Sequence, residues 1–92
     1  MDIQFPAGQP AYSGDTLTVT FTALVDGRAV ECAISAEALE DHFGAPCARE
    51  RELLTAFEQN RPSIEDAARE VILQLDGCPI LLRSGYFRFL EQ

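Results

Sequence analysis

The sequence predicts an α+β fold: a two-layer sandwich in which an antiparallel sheet, built from two β-hairpins, carries two or three helices on one face. Three observations predict it. Two stretches, TLTVTFTALVDGRAVECAI and PILLRSGYFRFL, alternate apolar and polar residues around short glycine-containing turns. Between them, residues 36–75 place apolar side chains three and four apart, the spacing of a helix face. At 92 residues the chain has the length of one domain, residues 1–92, so sheet and helices must share one core. The expected order is ββ-αα(α)-ββ.

In MDIQFPAGQPAYSGD, Ile3 and Phe5 alternate as in a short edge strand, which Pro6 and Pro10 limit; the rest reads as loop. Leu17, Val19, Phe21, Ala23 and Val25 then alternate with threonines, apart from Leu24. Asp26-Gly27 is a favoured two-residue hairpin turn. That turn sets Val25 opposite Arg28, Ala23 opposite Val30, Phe21 opposite Cys32 and Val19 opposite Ile34. Apolar residues of both strands then share one face, and a slip of one residue would destroy the agreement.

Ser35 is placed to cap a helix, because its hydroxyl can accept from an orphan N–H of the first turn. Ala36, Leu39 and Phe43 follow at helical spacing, with Glu37, Glu40 and Asp41 toward water. Gly44 suits the left-handed C-terminal position and Pro46 prevents continuation. Leu53, Leu54 and Phe57 give a second helix its stripe. Ile64, Ala67, Ala68, Val71, Ile72 and Leu75 give a further run the same. Pro62 between them either kinks one helix or separates two. Ser63 and Asp66 resemble a capping box, and Glu58 and Arg61 stand three apart, able to pair if the helix continues. Asp76-Gly77 ends the run. In the last stretch, a Ser84-Gly85 turn would face Leu82 with Phe87 and Ile80 with Phe89, leaving Arg83 opposite Tyr86 and Leu81 opposite Arg88 on the other face.

The chain carries a net charge of −8, and all seven basic residues are arginine. Such acidity disfavours generic binding to phosphate backbones. The start of the sequence has an acid where a signal peptide needs positive charge, and no apolar run approaches a membrane span. With three well-separated cysteines, Cys32, Cys47 and Cys78, the expectation is a cytoplasmic protein with free thiols and no membrane partner.

His42, Cys47 and Cys78 are candidates to meet at one end of the sheet as metal ligands or a thiol site, and His42 with Cys47 as a nucleophile pair. The close ligand pairs of zinc sites are missing, and neither an orienting group nor an oxyanion hole can be read. No glycine-rich phosphate loop occurs. The sequence therefore assigns no catalytic residue, metal ligand or cofactor. Its candidate interaction surface is Leu81, Arg83, Tyr86 and Arg88, where arginine beside an aromatic suits an acidic partner.

The stretches IQFP, VTFTALVDGRAVECAIS, EALEDHFGA and AFEQNRPSIEDAAREVI, in that order, resemble short bacterial proteins of domain-of-unknown-function family 1488. CAISAEALEDHFGA and FEQNRPSIEDAA are the most specific parts, and the last hairpin the weakest. The resemblance spans nearly the whole chain. It implies a small α+β domain with helices against an antiparallel sheet, and it implies no activity.

Three functions remain in view. The leading one is a non-catalytic interaction or regulatory module that binds an unidentified protein partner or a second copy of itself. The second is a nucleic-acid-associated regulator using the C-terminal arginines. The third is a small enzyme or ligand-binding domain near His42 and Cys47.

Overall fold

The computed structural model describes residues 1–90, with side chains through Phe87. Its strands are β1 (Ile3–Gln4), β2 (Ala11–Ser13), β3 (Thr18–Val25), β4 (Arg28–Ser35) and β5 (Ile80–Leu82). Its helices are α1 (Ala36–His42), α2 (Glu50–Gln59), α3 (Arg61–Gln74) and α4 (Ser84–Leu90).

β3 and β4 form the predicted hairpin in the predicted register, Val19 opposite Ile34 and Val25 opposite Arg28. Asp26 and Gly27 both take positive φ, 51° and 82°, as the tight turn demands. β1 and β2 both pair antiparallel with β3, on the side away from β4. β2 falls where the sequence reading expected loop. Leu17, expected to open the strand, sits outside it at φ 53° and is exposed; its carbonyl accepts from Ala36 N–H.

One face of the sheet is covered. Val19, Phe21, Ala23, Val25, Cys32 and Ile34 point inward and are buried beneath Leu39, Leu53, Phe57, Ile64 and Ile72. The ring of Phe57, fully buried, lies 5.1 Å from that of Phe21. Removing a side chain of that size from water contributes about 2–3 kcal/mol. The sequence left open whether Pro62 kinks one helix or divides two. Asn60 decides it: its non-helical backbone, φ −121° and ψ 18°, ends α2 and begins α3, with Pro62 in the first turn. Asn60 Nδ2 donates to the carbonyls of Phe43 and Ala56, which fastens the junction to the end of α1. Ser63 is therefore inside α3 rather than its cap. Ser35 does cap α1, accepting from Ala38 N–H at 3.1 Å.

Arg61 ties the N-terminal segment to this junction. Its guanidinium pairs with Glu58 and Glu65, donates to the Pro6 carbonyl and lies over the Phe57 ring. Arg69 lies over Phe5, whose ring stands 6.2 Å from Phe21.

The second hairpin is corrected. β5 pairs with β4 in parallel, Ala33 opposite Leu81, so the sheet is mixed rather than wholly antiparallel. The chain after it turns into α4 instead of returning as a strand. Short apolar runs fit both periods: residues 86, 87 and 90 recur as a helix requires, while 87 and 89 alternate as a strand requires. The decision falls to tertiary bonds at Ser84, described below.

Cys32 is fully buried, and burial pushes its thiol from about 9.0 up to about 11, with a smaller rise from Glu31 and an opposing hydrogen bond to the Ala23 backbone. Below pH 9 folded and unfolded chains both keep the proton. Between about pH 9 and 11 the unfolded chain releases it first, so stability falls as pH rises, by about 2–3 kcal/mol across that window. Urea unfolding across this range is expected to show that decline in the native chain. Cys32→Ala should show a shallower one, and equal slopes would refute the assignment.

Candidate functional site

The outward residues of the sheet follow from strand alternation. On β3 they are Thr18, Thr20, Thr22 and Leu24; on β4 they are Ala29, Glu31, Ala33 and Ser35; on β5 the residue is Leu81. At one end Glu37 of α1 and the start of α4, Ser84 and Gly85, border Thr18 and Ser35, and Thr18 is buried. Thr22, Ala29, Glu31 and Leu81 are exposed, Leu81 at 42% of its surface. The face hollows into a trough of about 680 Å³ lined by Thr20, Glu31, Ala33, Leu81 and the Tyr12 and Ser13 end of β2. Hydroxyls and methyls make its floor, so it offers shape and modest apolar contact rather than reactive groups.

The four expected surface residues do not share one face. Leu81 stands on the open face, and with Arg83 it lines a hollow of about 410 Å³ beside Thr16, Thr18, Ser35 and Glu37. Tyr86 belongs to α4 and lies over α3, in a groove of about 520 Å³ with Phe43, Asp66, Glu70 and Phe87. Burial, and secondarily the Glu70 carboxylate, holds the Tyr86 phenol above its ordinary range. Arg88 is in α4, and its side chain lies outside the described residues. The expected Arg83–Tyr86 pair was cross-strand, and a helix has no such pairs.

His42 has a partner that sequence reasoning missed. Ser84 Oγ donates to Asp41 Oδ2 at 2.7 Å, and His42 Nε2 lies 3.2 Å from both the Ser84 carbonyl and its hydroxyl. The His42 ring also packs 5.5 Å from Phe87, which meets Phe43 edge-on at 5.0 Å. A serine, a histidine and an aspartate invite comparison with a hydrolase triad. The wiring differs. The hydroxyl proton goes straight to the Asp41 carboxylate, whereas in a triad it goes to the histidine and the carboxylate holds the far side of the ring. Ser84 is also buried, 5% exposed. The cluster is a clamp that docks the start of α4 on the end of α1. A serine opening a run of aromatics was its only trace in the sequence.

Among the described residues no group of three or more His, Cys, Asp or Glu side chains could hold a metal ion. Cys32, Cys47 and Cys78 are free thiols. Among the described residues, no helix is long and apolar enough to cross a membrane.

Comparison with known proteins gives the same fold. The family described as "Protein of unknown function (DUF1488)" matches residues 3–82. The crystal structure of a DUF1488-family protein of unknown function from Shewanella loihica PV-4, at 1.60 Å, covers 88% of this chain and 92% of its own at 27% identity, with a TM-score of 0.74. No curated protein matches.

The clamp predicts a local effect. Ser84→Ala should lower stability by about 1–3 kcal/mol and speed amide exchange in residues 84–90 while leaving residues 18–35 protected. Unchanged exchange in α4 would show that the cluster does not hold it.

Proposed function

Since this chain belongs to the DUF1488 family of proteins of unknown function, we propose its role from its surfaces: a non-catalytic interaction module that docks another protein on the open face of its sheet. One observation carries the reading. The inward face is covered by helices along most of its length, whereas the outward face bears a wide trough and an exposed leucine, Leu81. A half-covered sheet is common in antiparallel folds, and here Leu24, Ala29, Ala33 and Leu81 stand among the polar residues of the free face. Glu31 is the one charged side chain among the outward positions of β3, β4 and β5, and depletion of charge marks the centre of an interface. The three separated thiols fit a reducing cytosol as its compartment.

The nucleic-acid reading finds less support, because Arg83 and Tyr86 do not form one recognition surface and the net charge of −8 opposes it. The enzymatic reading also finds less support, because the Ser84 hydroxyl beside His42 is buried and donates to the Asp41 carboxylate.

The test is a tagged pull-down, with and without nuclease, comparing the native chain with Leu81→Asp. A specific protein retained after nuclease and released by Leu81→Asp is the expected result. Recovery that depends on nucleic acid, or a partner indifferent to Leu81→Asp, would contradict the reading.

A further inference from the structure

We propose that the occupant of the open sheet face is a second copy of this chain, docked face to face about a two-fold axis. The inference rests on the reading above, that this face docks a protein, and it names the partner. Charge distribution carries it. The chain has 15 acidic residues against 7 arginines, so two copies repel through most of their surfaces. The outward positions of β3, β4 and β5 hold only one ionisable side chain, Glu31. Glu37 shares the hollow of Arg83 at one edge of this face, and across the strands themselves two copies can meet with few like charges opposed.

The face is also self-complementary. Glu31 lies at the middle of β4, and Arg83 lies level with its last residue, Ser35, directly after Leu82, which stands opposite Ile34. Between them, Ala33 and Leu81 are register partners at mid-level. An axis lying in the interface, across the strands at that level, reverses strand direction. It brings each copy's Glu31 to the level of the other's Arg83, and it brings the two Leu81 side chains together at the centre. Sheets packed this way stand about 10 Å apart, a gap that leucine between threonine and alanine floors can fill. The charged pairs then sit at the rim, where they set orientation and partner choice.

Sedimentation velocity on the full chain, from dilute protein to about 1 mM, tests this. The expected result is a rise from 10.1 kDa to twice that mass. Glu31→Arg and Arg83→Glu, both at exposed positions, should each weaken association about tenfold or more. The two combined in one chain should restore it, a rescue that a merely misfolded variant cannot show. A monomer at every concentration would overturn the proposal, as would a dimer whose affinity ignores the single changes. If the chain stays monomeric while Leu81→Asp still releases a captured protein, the docking face stands and self-pairing falls.

Discussion

Everything else in this molecule hangs on the inward face of the β3–β4 hairpin. Eight residue pairs in one register place Val19, Phe21, Ala23 and Val25 beside Val30, Cys32 and Ile34. Because side chains alternate strictly, that register is all or nothing: one slip would send the whole apolar set to water. The helices are shaped to that face. α1 begins directly off β4 at the Ser35 cap, α2 brings Phe57 down onto Phe21, and α3 brings Ile64 and Ile72 into the same core. The parallel strand β5 completes the sheet beside β4, with Ile80 and Leu82 inward.

A face buried by helices implies an opposite face left to water or to a partner. The chain's acids sit mostly on helices, where they keep the covered layer hydrated. Apart from Glu31, the outward positions of β3, β4 and β5 are small, hydroxylated or aliphatic. Sequence chemistry thus divides the molecule into a charged layer and a quiet one, and this division underlies the functional reading.

The first half of the chain was legible because local and tertiary signals agree there. The DG turn, the alternation on both sides of it and the Ser35 cap all demand the same hairpin and helix. The C-terminal part was not, because its signals conflict. ILL alternates too briefly to reveal whether its neighbour runs parallel or antiparallel. SGYFRFL suits a turn and strand as well as a helix. The choice is made by Asp41 and His42, some forty residues earlier in sequence, through their bonds to Ser84. No local pattern contains that information. The candidate surface suffered accordingly. Leu81 was correctly placed outward by alternation alone. Arg83 and Tyr86 were set together only by a hairpin that is a strand followed by a helix.

The claim that one sheet face is sealed and the other open has a direct measurement. In a Cys47→Ser, Cys78→Ser background, thiol labelling compares Cys32 on β4 with a thiol introduced by Thr22→Cys on β3. The account predicts that in dilute protein the position 22 thiol labels at the rate of a free thiol, while Cys32 labels only as the chain unfolds. Equal labelling of the two, or protection at position 22 in dilute protein, would contradict it.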